Sequence, residues 1–230
     1  MLTKAAIKEL VGTQAAELVQ SGMTIGIGTG STVEWLIKAL GKKVSSGLEI
    51  RAVSTSQASS KLAAAHNIQL IELNDAAKIQ LAIDGADEIG PQLQLIKGGG
   101  GALLQEKMVA AAADELVIIA DHGKLVDQLG AYPLPVEVMI NNWKQVEKQL
   151  AHQFQQPAIL RSSKDGQPFV TDHGHYIIDI SFEKIDDPIA INHALHDIPG
   201  VVETGLFIGM AKRALIGYPD GQTEWRSING

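Results

Sequence analysis

The sequence predicts an α/β protein: a Rossmann-like open parallel sheet with helices on both faces, plus a smaller ferredoxin-like α+β subdomain of βαββαβ order. Three observations predict it. Short apolar runs rich in Ile, Val, Leu and Ala recur along the first half and alternate with helical stretches, the rhythm of buried parallel strands joined by helices. That rhythm changes after Pro133 and Pro135. The length, 230 residues, suits one large domain with a smaller one attached.

Taken in order, Thr3 can cap a first helix whose apolar residues Ile7, Leu10, Val11, Leu18 and Val19 share a face, with Gly22 as its stop. Met23 to Gly28 reads as a short buried strand, and Val33 to Leu40 as a helix stopping at Gly41. Further strands are expected at Ile50 to Val53, Ile68 to Leu73, Ile79 to Ile83 and Leu116 to Ala120. After the prolines come a strand (Val136 to Ile140), a helix (Asn142 to Phe154) and a strand (Ala158 to Arg161). A turn at Lys164, Asp165 and Gly166 leads to strand material at Phe169 to Thr171 and Tyr176 to Phe182, a helix from Pro188 to His196 and a strand from Val201. This is the split βαβ order. Leu206 to Met210 and Ala214 to Gly217 are expected to rejoin the first sheet, which divides the chain into 1–131 with 206–230 and 132–205.

Hydrophobic residues at 45% and charged residues at 20% exclude disordered, collagenous and coiled-coil classes. A net charge of −7 argues against nucleic acid or an anionic membrane as partner, so any anion must be bound locally. With no cysteine, disulfides, thiolate metal sites and cysteine nucleophiles are excluded. The first residues lack the apolar core of a secretory signal, and no run approaches the roughly 18 apolar residues of a membrane helix. The expectation is a soluble cytoplasmic protein. The 23 glycines exceed the roughly 16 of average usage, and eight of them lie in three loops that carry chemistry.

Each loop lies just beyond an expected strand, where ligands bind in open α/β sheets. In the first, Gly26-Ile27-Gly28-Thr29-Gly30-Ser31-Thr32, glycines let the backbone approach a ligand, and the helix start favours a phosphate or carboxylate. A plain tight turn capped by Ser31 or Thr32 is the alternative. A dinucleotide fingerprint fails because Ser31 stands where its last glycine belongs, and neither Gly41-Lys42 nor Gly123-Lys124 completes a P-loop. The second, Asp84-Gly85-Ala86-Asp87-Glu88, sets carboxylates at the mouth of the sheet, suited to sugar hydroxyls and proton handling more than to a metal. Asp84 and Asp87 as simple turn formers remain the alternative. The third, Lys97 followed by Gly98, Gly99, Gly100 and Gly101, precedes a helix bearing Glu106. Four glycines in a row oppose order, so they suit a place where backbone N–H groups crowd a ligand. A lysine and a glutamate flanking such a loop suit proton abstraction beside a carbonyl, with Glu106 as base and Lys97 on the developing oxyanion. A surface lysine and a helix glutamate paired with Lys107 are the alternative. His173 and His175, and His193 and His196, read as solvated or packing residues rather than metal ligands.

Together these segments resemble the ribose-5-phosphate isomerase A family. The likeness rests on GIGTGST from Gly26, STSQAS from Ser54, DGADEI from Asp84, LIKGGGGAL from Leu95 with Glu106 following, ADHGK from Ala120 and PLPVEV from Pro133. DPIA from Asp187, IPGVVETGLF from Ile198 and LIGYPDG from Leu215 extend it to nearly the whole chain. The resemblance implies interconversion of D-ribose 5-phosphate and D-ribulose 5-phosphate in the non-oxidative pentose phosphate pathway, with no metal or organic cofactor and at least a homodimer. By position, Glu106 matches the general base, and Lys97 with Gly98, Gly99 and Gly100 matches residues around the reacting end. Asp84 and Asp87 match groups for ring opening and hydroxyl orientation, with Gly85 and Ala86 between them. Thr29, Gly30, Ser31 and Thr32 match the substrate-binding turn, and Lys124 a further substrate-binding lysine. Gly101 departs from the alanine common there, and Gln57 from an acid. The rivals are a coenzyme A transferase-like enzyme with Glu106 as nucleophile and a non-catalytic sugar-phosphate sensor.

Overall fold

The computed structural model describes residues 1–228. In chain order its main elements begin with α1 (Lys4–Ala15), β1 (Thr24–Ile27), α2 (Val33–Ser45), β2 (Arg51–Ser54), α3 (Gln57–Ala65), β3 (Gln69–Leu70) and β4 (Leu81–Asp84). They continue with β5 (Glu88–Ile89), β6 (Leu95–Ile96), α4 (Leu103–Ala112), β7 (Leu116–Asp121), β8 (Leu134–Val138), α5 (Trp143–Phe154), β9 (Ala158–Leu160) and β10 (Tyr176–Ile180). The last are α6 (Pro188–His196), β11 (Val201–Thr204), β12 (Leu206–Phe207), β13 (Ala211–Gly217) and β14 (Thr223–Ser227). They fall into two compact units: Met1–Ala86, Gln105–Lys124 and Gly209 onward form one, Asp87–Leu104 and Leu125–Ile208 the other.

The first unit is a seven-stranded sheet of order β14-β13-β7-β4-β1-β2-β3, parallel except for the β13–β14 hairpin. Every residue of β1, β4 and β7 is buried, so both faces of the sheet centre are covered, which is why these strands read as unbroken apolar runs. Ile25, Ile27, Ile83, Val117 and Ile119 from the sheet pack with Val11 of α1 and Leu36, Ile37 and Leu40 of α2 in one core. Thr3 caps α1 as expected, accepting from the Ala6 N–H. Gly41 does not stop α2, which runs on to Ser45. A Cβ at Gly41 would lie 2.6 Å from that of His66, so this glycine serves close packing.

The second unit has the expected βαββαβ succession from β8 to β11, with sheet order β11-β8-β10-β9 and every pairing antiparallel. Val136, Val138, Ile178 and Ile180 of the sheet pack against Val146 and Leu150 of α5 and Leu195 of α6. Asp187 caps α6 by accepting from the Ala190 N–H at 2.9 Å, and Pro188 fills the first turn, where its missing N–H costs nothing.

Three expectations are corrected. Phe169 to Thr171 forms no strand; only isolated bridges, Ser162 to Pro168 and Val170 to Tyr176, mark that segment. Leu206 to Met210 does not rejoin the first sheet, because β12 pairs antiparallel with β6 in a separate three-stranded sheet, β12-β6-β5. The boundary at 131/132 therefore shifts: β5, β6 and the glycine loop belong with the second unit, and Glu88 holds them to the chain near residue 130 by accepting from the Gly130 N–H at 2.7 Å.

Candidate active site

In the first unit the chain leaves β1 toward β2 and β3 on one side, then returns to build β4, β7 and β13 on the other. The order reverses between β1 and β4, and ligands of open parallel sheets bind beyond the strand ends at such a point. The turn Gly28 to Thr32 follows β1 there, and Asp84 to Ala86 ends β4. The two are interlocked. The Gly28 N–H donates to the Ile83 carbonyl at 2.9 Å, and one oxygen of Asp84 accepts from the Thr29 N–H at 3.0 Å and the Gly85 N–H at 2.7 Å. A Cβ at Gly28 would sit 2.0 Å from Asp84 Oδ1, so only glycine admits this carboxylate.

Hydroxyls buttress the turn. Thr29 Oγ1 lies 2.7 Å from Thr55 Oγ1 and donates to Ser56 Oγ at 2.8 Å, while Ser59 donates to the Gly28 carbonyl at 2.7 Å. Ser31, exposed at the start of α2, accepts from the Lys8 ammonium of α1 at 2.7 Å, which brings a cation to the turn where an anion was expected. Thr32 is buried and precedes α2. Lys124 closes the short turn after β7, the strand beside β4. Glu106 is only 4% exposed and stands in the first turn of α4, where the helix dipole favours a carboxylate.

In the second unit, Asp87 donates its N–H to the Ile96 carbonyl at 2.8 Å and accepts the Gly99 N–H on Oδ2 at 2.7 Å. Lys97, only 2% exposed, donates its N–H to the Gly205 carbonyl at 2.9 Å, and its ammonium lies 5.4 Å from the centre of the Phe207 ring. The loop closes on itself through the Gly101 N–H and the Gly98 carbonyl at 3.0 Å. A Cβ at Gly99 would lie 2.5 Å from Tyr132 Oη and 2.7 Å from Asp87 Oδ1, so both oxygens flank that peptide. Burial, and after it the charge of Asp87, raises the Tyr132 hydroxyl above the ordinary value near 10.

The expected residues thus divide. Thr29, Gly30, Ser31, Thr32, Asp84, Gly85, Ala86, Glu106 and Lys124 lie in the first unit, and Asp87, Lys97, Gly98, Gly99 and Gly100 in the second. Sequence reasoning missed Lys8, on the first helix, and Tyr132, one residue before the Pro133 motif. It also missed the direct contacts of Thr55 and Ser56 with Thr29, although STSQAS marked their segment. Among the described residues no group of three or more His, Asp or Glu side chains is placed to hold a metal. Two of the histidines have partners of their own: His175 Nδ1 lies 3.0 Å from the buried Glu137 carboxylate, and His196 Nε2 2.9 Å from Glu203.

The sequence matches the family model for ribose 5-phosphate isomerase A (phosphoriboisomerase A) over residues 51–221. The chain belongs to the ribose-5-phosphate isomerase A family. Curated ribose-5-phosphate isomerase A proteins are similar over nearly the full length: that of Bacillus mycoides is 50% identical, covering 95% of this chain and 99% of its own. That of a Ruegeria species is 46% identical over 96% of this chain and 87% of its own. Among solved structures, ribose 5-phosphate isomerase A from Methanocaldococcus jannaschii matches with a TM-score of 0.92 at 36% identity, covering 98% of this chain and 100% of that one. A D-ribose-5-phosphate isomerase solved in complex with phospho-erythronic acid matches with a TM-score of 0.94 at 36% identity, over 98% of this chain and 100% of the other. The isomerase A likeness therefore spans both units and the segments that carry Asp84, Asp87, Lys97, Glu106 and Lys124.

Proposed function

We propose that this chain interconverts D-ribose 5-phosphate and D-ribulose 5-phosphate, with Glu106 as the base. The carrying observation is near-full-length likeness to ribose-5-phosphate isomerase A proteins, at 50% identity for the Bacillus mycoides relative, in a chain that keeps Asp84, Asp87, Lys97 and Glu106 in their motifs. The relative solved with phospho-erythronic acid, a phosphorylated sugar acid, supports the substrate class.

In the aldose-to-ketose direction, Glu106 takes the C2 proton as the C1 carbonyl oxygen becomes the enediolate oxygen, the O2 proton passes to O1, and the same carboxyl returns its proton to C1 as C2=O2 forms. Such a base contributes about 10²- to 10⁴-fold. Lys97 and the glycine-loop N–H groups meet the negative oxygen, where one well-placed donor is worth roughly 10²- to 10³-fold. Asp84 and Asp87 orient hydroxyls and assist ring opening. The turn Thr29 to Thr32, with Lys8 beside Ser31, is proposed for the phosphate, and Lys124 for a further substrate contact, so that binding of a non-reacting group orients the reacting carbon. The reading includes a homo-oligomer in the cytoplasm; no helix among the described residues is long and apolar enough to cross a membrane. Light scattering tests the oligomer.

The deciding assay is ketopentose formation from ribose 5-phosphate with and without EDTA, alongside Glu106→Gln. Activity insensitive to EDTA is expected, with kcat of the variant lowered about 10²-fold or more and KM little changed. Near-normal kcat in Glu106→Gln would falsify the base assignment.

A further inference from the structure

The glycine loop is gripped from outside by an ion pair that neither the sequence motifs nor the proposed roles include. Arg161 follows β9 and is fixed by its own backbone: its N–H donates to the Ile177 carbonyl at 2.8 Å, and its carbonyl accepts from Phe169 at 2.9 Å. Its guanidinium serves two partners. Nε and Nη2 meet the two oxygens of Asp179 on β10 at 2.9 and 2.5 Å. Nη1 donates to the Gly98 carbonyl at 2.7 Å and the Gly99 carbonyl at 3.3 Å. Both side chains are largely shielded, at 14% and 24% exposure, so the pair is not the solvated kind that contributes little.

Trans peptide geometry turns these contacts into an orientation. In a trans peptide the N–H is antiparallel to the C=O, and no described peptide bond is cis. With the Gly98 and Gly99 carbonyls drawn to Arg161, the N–H groups of Gly99 and Gly100 face the other way. The Gly99 N–H there meets Asp87, and Gly100, exposed, presents its N–H on the same side. We propose that Arg161, held by Asp179, is a positioning residue that fixes the loop so that the Gly99 N–H stays on Asp87 and the Gly100 N–H is aimed at the oxygen that becomes negative in the reaction. The proposal rests on the isomerase reading for what the loop faces, but the grip itself does not. Only arginine suits this position, because its planar fork can bind a carboxylate bidentately and still offer a donor to carbonyls, which a single ammonium cannot do. Loss of the grip leaves a run of four glycines to sample many conformations, and displacement of a donor by about 1 Å can cost on the order of 10²-fold.

The test uses the full chain with Arg161→Ala, Arg161→Lys and Asp179→Asn, each checked for folding by thermal unfolding. Two readouts are taken: kcat and KM for ribose 5-phosphate, and amide hydrogen exchange in a peptide covering 95–104. Expected in folded Arg161→Ala are a kcat at least tenfold lower with KM changed less than threefold, faster exchange at 98–101, and partial recovery of both with millimolar methylguanidinium. Arg161→Lys should share the kcat loss, and it decides the question if the alanine variant does not fold. Asp179→Asn should fall between it and the parent. A folded Arg161 variant with kcat within twofold of the parent, or a loss of kcat with unchanged loop exchange and no recovery, overturns the proposal. If the parent itself fails to isomerise ribose 5-phosphate, the functional reading falls, and loop exchange with its methylguanidinium recovery alone decides whether Arg161 positions the loop.

Discussion

Gly28→Ala is the smallest change that reaches the interlock of the turn after β1 with Asp84 of β4. The added Cβ would stand 2.0 Å from Asp84 Oδ1, 2.1 Å from its Cγ and 2.6 Å from its Cβ, against the roughly 3.5 Å of ordinary contact. Neither partner can yield cheaply, since Gly28 and Asp84 lie on adjacent buried parallel strands or their immediate ends, joined by the Gly28 N–H to the Ile83 carbonyl. Asp84 must move by about 1 Å, which lengthens its bonds to the Thr29 and Gly85 N–H groups, now 3.0 and 2.7 Å, beyond useful range. Hydrogen bonds to a charged group are worth about 1.5–3 kcal/mol each and overpacking costs about 1–3 kcal/mol, so a loss of roughly 4 kcal/mol is expected after partial relaxation. That is a large share of the 5–15 kcal/mol typical of a folded protein. The same displacement misplaces a carboxylate proposed to handle substrate hydroxyls, so kcat/KM should fall about 10²-fold. Guanidinium unfolding at constant m-value reads the first effect and steady-state kinetics the second. A cost below about 1 kcal/mol with kcat/KM within fivefold of the parent would show that the turn and β4 are not interlocked as described. Combining Gly28→Ala with Asp84→Ala should cost much less than the sum of the two, because the second change removes the nearest contacts.

Lys97→Ala should lower kcat about 10²- to 10³-fold and more than Asp87→Asn does, as measured by initial rates; the reverse order would remove Lys97 from the oxyanion role. Gly101→Ala should destabilise by about 1–3 kcal/mol or more, since Gly101 has φ +81° and a Cβ there would lie 2.4 Å from the Phe169 ring. Adding Phe169→Ala should recover part of that in a denaturation series, and no recovery would mean the ring is not the obstacle. Tyr132 gives a pH signature: its raised pKa favours the protonated hydroxyl in the fold. The stability this brings is complete below the unfolded value near 10 and is lost as pH climbs through the folded value. Tyr132→Phe should therefore flatten the alkaline fall in stability above pH 10 and remove a late-titrating phenol from the ultraviolet titration; a normal titration of Tyr132 refutes the burial argument.

How much could be read from the sequence depended on whether a feature was local. β1, β4 and β7 were legible because strands buried on both faces have no choice but continuous apolar runs. The capped starts of α1 and α6 were legible because Thr3 and Asp187 act on N–H groups three residues away. β14 was not, because its five residues are exposed or half-exposed and show no apolar run. β5, β6 and β12 are two residues each, too short to carry a period, and their pairing joins residue 95 to residue 207 across the chain. That single long-range pairing moved the Leu206 segment to the second unit. The glycine loops and acidic turns announced themselves by composition, whereas Lys8 and Arg161 act on them from 23 and 63 positions away through ordinary-looking sequence.

The two aspartates of the DGAD turn share a second role, and it changes how their variants must be read. Asp84 accepts two backbone N–H groups, from Thr29 and Gly85, and Asp87 accepts one, from Gly99. Each carboxylate proposed to act on a sugar hydroxyl is therefore also the acceptor that orders a glycine-bearing turn in its own unit. Glycine loops have high entropy when free, so a fixed acceptor is what makes such a loop a defined surface. Replacing either acid removes a chemical group and loosens a loop at once, and a fall in kcat alone cannot separate the two. Asparagine at 87 keeps a carbonyl that can still accept the Gly99 N–H, while alanine keeps neither function. A kcat in Asp87→Asn well above that of Asp87→Ala, with loop exchange raised only in the alanine variant, assigns the difference to ordering of the loop and the remaining deficit of Asp87→Asn to the lost charge.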